Sequence, residues 1–410
     1  MTPTPMSTPT ANQRPALIGL ARLMTMAFQG TDLAPLAQAL IARAEADPND
    51  AEALLDLSWI LELQGLRDLG LATQAHALQS QRLYRLPARR PAGLRLLAVM
   101  AAGDLMTNTP LPFLIEDSDV DLSLLYVLPD DTLPAEVPGC DAVFIAVSES
   151  EATVPLLARL AQAAASWRTP VINRPENVGR CARTQAFERL RGTPGLEIPA
   201  TLRVGRAELS ALARGERDAR ALLPDGGYPL IVRPVDSHAG NDLAKIDDAA
   251  AMADYLDRTA GDAFYLARFV DYRGADGLYR KQRIVLVDGR AYAGHMAVSE
   301  HWMIHYLNAG MTESAAKRAE EADFMAGFDT GFAQRHAGAL RAVAERLGLD
   351  YLVMDCAETP AGELLFFEAS PGAVVHAMDP VDLFPYKRAA MDKVFAAFRA
   401  LLGARAATAH

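Results

Sequence analysis

Residues 351–372, YLVMDCAETPAGELLFFEASPG, constrain the fold of this chain more than any other stretch. Residues 351–357 are apolar except for Asp355, and 364–367 form a second apolar run that leads into Glu368. Thr359-Pro360-Ala361-Gly362 lies between them. Pro presets one turn dihedral and Gly accepts positive φ, so the stretch predicts a β-hairpin. If the hairpin closes symmetrically about Pro360-Ala361, Asp355 lies opposite Phe366 and diagonal to Glu368. Side chains alternate along a strand, so both carboxylates then share one face. Two carboxylates on an otherwise apolar sheet repel one another unless a cation holds them. Hard oxygens on strands suit Mg²⁺; the plainer alternative is a hairpin whose two acids lie at its wet edge.

A chain of 410 residues has room for two or three domains with cores of their own. Its net charge of -11 argues against a general binder of nucleic acid or of an anionic membrane. Cys140, Cys181 and Cys356 are odd in number and scattered, which points to reduced thiols rather than a disulfide frame or a zinc site. No basic segment followed by an apolar core opens the chain, and no apolar run is long enough to span a bilayer. The expectation is a cytoplasmic protein.

In chain order, residues 1–13 are a Thr/Pro-rich tail expected to be disordered. Residues 14–90 are helical in pattern. Asp50 is placed to cap a helix with apolar Leu54, Leu57, Ile60 and Leu61, Gly65 breaks it, and 66–83 gives a second helix. This helix–Gly–helix unit resembles one tetratricopeptide-type hairpin. It could dock a peptide or protein partner, or it could simply pack on the next domain. Residues 91–178 alternate apolar strands (93–102, 122–127, 142–147, 170–173) with a helix at 151–167, an α/β pattern with a parallel sheet. No GxGxxG or GxxxxGK[ST] follows these strands, so dinucleotide-fold and P-loop readings lack their main support. Residues 179–405 begin with a helix at 180–190. They continue through a YPLIVRP strand ending at Arg233, a polar VDSHAGND turn and the strand FYLARFV. Two more strands, RKQRIVLV and AYAGHMAV, are joined by an Asp288-Gly289 turn.

This ordered set resembles the ATP-grasp ligases, in particular the ribosomal-protein glutamate ligases and glutathione synthetases. The implied class is multidomain α+β: the helical TPR-like region, an α/β pre-ATP-grasp domain at 91–178, and the ATP-grasp fold at 179–405. In that family ATP is clamped between two antiparallel sheets, with Mg²⁺ bridging its phosphates to the protein. By that resemblance Arg180 and Arg233 take the places of two phosphate-contacting lysines, and Ser237, His238 and Gly240 belong to a loop over the phosphates. Arg268, Phe269, Val270 and Asp271 correspond to the adenine hinge and ribose contact, with Asp276 the alternative for the ribose. Arg283 corresponds to the Arg that neutralises the transferring phosphate. Asp355, Glu368 and Ser370 fall on the metal positions, Ser370 where the family has Asn.

The stretch HMAVSEHWMIH adds His295 and His305 as basic contacts to substrate, with His376 and Lys387 beyond the hairpin on the acceptor side. His301 and His305 are one helical turn apart if that segment is helical, and a zinc site is a further reading. The resemblance implies ATP-dependent joining of a small-molecule or peptide carboxylate to an amine through an acyl phosphate, and leaves room for a homodimer. Two alternatives stand beside it: a non-catalytic ATP-binding scaffold, and an ATP-grasp phosphotransferase.

Overall fold

The computed structural model describes residues 15–137, 139–237 and 240–408, so the expected N-terminal tail and His238 lie outside the described residues. Fourteen strands form three sheets among these residues. The first has the order β1-β3-β2-β4-β5, built from β1 (Leu83–Leu86), β2 (Leu94–Ala101), β3 (Val120–Val127), β4 (Ala142–Ile145) and β5 (Val171–Ile172). Strands β2 to β5 are parallel, and β1 adds an antiparallel edge. Every residue of β2 but Arg95 is buried, as expected of a parallel strand covered on both faces.

Helices Leu20–Phe28, Ala34–Ala46, Ala51–Leu63 and Arg67–Ser80 precede this sheet. The Asp50 carboxylate accepts from the Ala53 N–H at 3.0 Å and caps the third of them. Gly65 takes φ 81, open to Gly but strained for other residues, and lets the chain reverse. The second helix of the pair ends at Ser80 rather than 83, because Gln81 is extended and leads into β1. Leu54, Leu55, Trp59 and Leu78 share one core with Leu96, Leu122 and Phe144 of the sheet and Phe398 of the last helix. The four helices thus share their core with the neighbouring sheet. The TPR-like expectation gains no support.

Six-residue and shorter strands make most of the second sheet: β7 (Thr201–Gly205), β10 (Ala263–Arg268), β8 (Leu230–Pro234) and β9 (Ala244–Ile246), antiparallel in the order β7-β10-β8-β9. The third has the order β12-β11-β13-β14-β6, from β6 (Leu196–Glu197), β11 (Tyr279–Val287), β12 (Arg290–Ser299), β13 (Tyr351–Glu358) and β14 (Leu364–Ser370). Only β6 runs parallel to its neighbour. The Asp288-Gly289 turn, with φ 49 and 76, joins β11 to β12 in the register Val287↔Arg290. Two largely antiparallel sheets following a parallel one is the layout that the ATP-grasp resemblance implies.

The β13–β14 hairpin departs from symmetric closure. Glu358 pairs with Leu364, one residue beyond the expected register, and a β-bulge between Asp355 and Cys356 then sets Asp355 directly opposite Glu368. Helix Lys387–Ala407 crosses behind this sheet. It is held by Arg399 on Asp119 at 2.6 Å and Arg405 on Asp350 at 2.8 Å. No described helix is long and apolar enough to cross a membrane.

Candidate active site

Asp355 and Glu368 form the centre of the cleft between the two antiparallel sheets, and cations surround them. Arg283 grips Asp355 with two bonds, Nε to Oδ1 at 2.8 Å and Nη2 to Oδ2 at 3.0 Å, and its Nη1 donates to the Val374 carbonyl at 3.2 Å. Lys281 Nζ lies 2.8 Å from Asp355 Oδ2. Residues 281 and 283 are two apart on β11, so both side chains emerge on the face that carries Asp355. Arg183, the first residue of helix Arg183–Leu190, ion-pairs with Glu368 and donates to the Phe367 carbonyl at 3.2 Å. Arg233, at the end of β8 and only 8% exposed, lies 3.8 Å from Glu368 Oε2 and also bonds to Ser237.

Burial works to raise the Asp355 carboxyl, but Arg283 and Lys281 outweigh it and hold it well below the usual carboxylate range. Enclosure likewise works against the Glu368 charge, and Arg183 leads the cations that keep it lowered. Burial, and then the neighbouring Arg183, bring the Arg233 guanidinium down to about 10. Immediately around the Asp355–Glu368 pair, Arg183, Arg233, Lys281 and Arg283 give a local excess of positive charge, a setting for an anion with several oxygens, while Glu149 and Asp236 stand further along the wall of the larger cavity.

Two cavities meet at Glu368 and Lys281. The smaller, ≈ 190 Å³, is mostly apolar, with Ile198, Ile231, Phe269, Val270, Trp302 and Phe367 in its walls. Its lining suits an apolar group beside the segment that follows β10. The larger, ≈ 620 Å³, contains Arg283, His295, His305, Ser370, His376 and Lys387. His295 sits opposite Arg283 in the β11–β12 register with its ring 4.6 Å from Tyr306; burial first, then Arg283, hold its pKa well below the ordinary value. His305 is lowered by burial and by Lys281. Both shifts favour the neutral imidazole. Lys387 is buried against Asp379 at 3.2 Å, with the Tyr306 ring 4.1 Å away.

Several sequence expectations change here. Arg180 does not reach the cleft: it lies in a 3₁₀ turn (Gly179–Cys181), donates to the Leu347 carbonyl at 3.4 Å and packs on Gly348. Arg183, one helical turn on, lies in the cleft instead, because the helix opens at Arg183 rather than near Gly179. Asp271 is exposed and paired with Arg273 at 3.0 Å, outside both cavities, and Asp276 is held by Arg280 at 2.6 Å. The Phe269 N–H is already bonded to the Pro229 carbonyl at 2.8 Å, and the Arg268 side chain bonds Asp225 and Glu197. Residues 301 to 305 are not helical, and among the described residues no group of three or more His, Cys, Asp or Glu could hold a metal, so the zinc reading falls. Ser237 and Gly240 do line the larger cavity. Lys281 went unnoticed, although RKQR at strand spacing places Lys281 and Arg283 side by side.

Mg²⁺ is bound through one or two carboxylates together with phosphate oxygens and water; the opposed Asp355–Glu368 pair has the donor chemistry for one such ion, which would replace part of their contacts to Arg283, Lys281 and Arg183. A second ion finds less support: the Ser370 hydroxyl, on the same face, already accepts from the Gly372 N–H at 3.1 Å.

No family profile matches the chain. Solved structures similar to it include a RimK domain protein ATP-grasp from Sphaerobacter thermophilus, at 16% identity over 75% of this chain and 99% of that one, TM-score 0.42. The VanG D-Ala:D-Ser ligase from Enterococcus faecalis matches at 12% identity over 76% and 99%, TM-score 0.46. The D-cycloserine synthetase DcsG matches at 15% over 73% and 99%, TM-score 0.40. At these values they add nothing to what the cleft itself supports.

If Arg183 rather than Arg180 meets a bound polyphosphate, Arg183→Ala should weaken MgATP binding roughly tenfold or more, the scale of one lost charge-assisted contact. Arg180→Ala should leave it unchanged. Titration calorimetry on both variants decides, and equal affinities would sink the assignment.

Proposed function

We propose that the protein is an ATP-dependent ligase that joins a carboxylate to an amine through an acyl phosphate. The observation that carries this reading is the junction of the two cavities, where four cationic side chains converge on the Asp355–Glu368 pair. The adenine ring would occupy the small apolar cavity against Ile231, Phe269 and Trp302. The triphosphate would reach Arg183, Arg233 and Lys281, while Ser237 and Gly240 edge the loop beside it. Asp355 and Glu368 would hold Mg²⁺, which when bound supplies positive charge to the phosphates. Arg283 would face the transferring phosphoryl group and stabilise the charge that spreads over its oxygens.

The carboxylate substrate attacks the γ-phosphorus and ADP leaves; the amine then attacks the acyl carbon, and phosphate leaves with formation of the amide. Neutral His295 and His305 line the side where the carboxylate would enter, able to donate or accept a hydrogen bond without adding charge. The chain's main contribution is positioning and preorganised charge.

Thermal unfolding with and without MgATP tests this. A ligand at 100 times its Kd stabilises the folded chain by about 2.7 kcal/mol. Wild type should show a Mg²⁺-dependent rise in Tm that Glu368→Gln reduces, followed by ADP release beyond one equivalent only when both a carboxylic acid and an amine are added. ADP release with an alcohol or phosphate acceptor alone would point instead to phosphotransfer, and no shift at millimolar MgATP would remove the reading.

A further inference from the structure

The larger cavity is not closed by the two antiparallel sheets alone. One wall comes from the N-terminal helix Leu20–Phe28, through Met24, Ala27 and Phe28, together with Leu63 and Met106. Phe28, on the last turn of that helix, is 39% exposed, and its ring centroid lies 5.7 Å from that of His376, which also faces Phe113 at 6.4 Å. Met24 and Val374 pack on Ala21, Phe113 and Met378. The cavity therefore has two unlike ends: the cations around Asp355, and an apolar end in which Met24, Met106 and Met378 are prominent.

We infer that helix Leu20–Phe28 forms the specificity wall of the acid site, and that the substrate is an amino acid or dipeptide with a bulky apolar side chain. This rests on the ligase reading. The carboxylate of such a molecule faces Arg283 and Lys281, where a second anion is drawn to the excess positive charge, and its side chain lies against Phe28, Met24 and Met378. A volume of ≈ 620 Å³ falls within the range of small-molecule sites, about 300–1,000 Å³, rather than that of a folded partner. Met24, Ala27, Phe28, Leu63 and Met106 are apolar, and the nearby Asp379 and Lys387 are paired with each other at 3.2 Å, so a charged substrate side chain would be desolvated there without a free partner. Methionines are unbranched and adapt their shape, so the pocket should accept aromatic and long aliphatic side chains alike. The N-terminal helices are thereby part of the substrate site and not an appended module.

The test uses the full chain with MgATP and a panel of free amino acids and their dipeptides carrying Gly, Ala, Leu, Met, Phe, Asp or Lys side chains. ADP release and the Tm rise on adding each acid are read on wild type, Phe28→Ala and Met24→Ala. Wild type should prefer Leu, Met and Phe. Each variant should lose roughly tenfold or more in kcat/KM for these, since even one methylene in an apolar pocket is worth about 10- to 200-fold. The MgATP shift itself should stay unchanged in both variants, because neither residue touches the smaller cavity. Phe28→Leu, which keeps an apolar side chain, should retain most of the activity and guards against misfolding as the cause. A normal MgATP shift with a preference for Gly, Asp or Lys, with no response to any acid, or with variants indistinguishable from wild type, overturns the inference and leaves the ATP site standing. Loss of the MgATP shift in wild type overturns both.

Discussion

Asp355→Ala is expected to destabilise the folded chain by about 3–5 kcal/mol, the usual consequence of removing one partner from a buried ion pair. Asp355 is only 3% exposed and takes both guanidinium bonds of Arg283 and the ammonium of Lys281. Without it those two cations face one another beside Arg183 and Arg233, with Glu368 as the remaining counter-charge. Urea unfolding at pH 7 measures the loss directly. A difference below about 1 kcal/mol would mean that water in the cleft screens the cations as an exposed surface would. The pH dependence has a definite sign. Both carboxyls are lowered in the folded state, so their contribution is complete above the unfolded value of about 4 and is lost as pH falls through the folded values. Wild type and variant should therefore differ by a constant amount between about pH 5 and 8 and converge in stronger acid.

Trp59→Ala is expected to cost about 3–5 kcal/mol, the range for removing a large aromatic side chain from a core. Trp59 is 5% exposed on helix Ala51–Leu63, in the cluster that also holds Leu96, Leu122, Phe144 and Phe398. If the N-terminal helices were a free-standing unit, the substitution would melt them alone and leave a second transition at the wild-type temperature. The shared core predicts a single transition, shifted as a whole. Calorimetric scans distinguish the two results, and an unmoved main transition would count against the shared core.

The sequence made much of this architecture legible where local chemistry decides it. Asp50 as a cap, Gly65 as a reversal and Asp288-Gly289 as a hairpin turn follow from side-chain and backbone preferences a few residues long. That Asp355 and Glu368 share one face was also expected, with Glu368 diagonal to Asp355; the chain instead sets them directly opposite, by a different route. Moving the turn by one residue would by itself send Glu368 to the other face of the sheet. The bulge at Asp355/Cys356 inserts one residue and turns it back. Alternation alone cannot register two compensating shifts. The exchange of Arg180 for Arg183 has a similar origin: either Arg fits a helix N-terminus, and only the placement of the 3₁₀ turn selects between them. The periodicity of the N-terminal helices showed that they had an apolar face, but not what would cover it. That depended on the sheet that follows and on helix Lys387–Ala407, far along the chain.

Helix Lys387–Ala407 supplies Met391, Val394, Phe398, Leu401 and Leu402 to the same core as Leu54, Leu55 and Ile60. Emerging from the ribosome, the first sheet and the helices before it have their inner surface uncovered until nearly the whole chain has been made. Synthesis at about 5–20 residues per second leaves that surface waiting for tens of seconds. Stalling late in translation should therefore leave a species with more exposed apolar surface, and more prone to aggregate, than the finished chain.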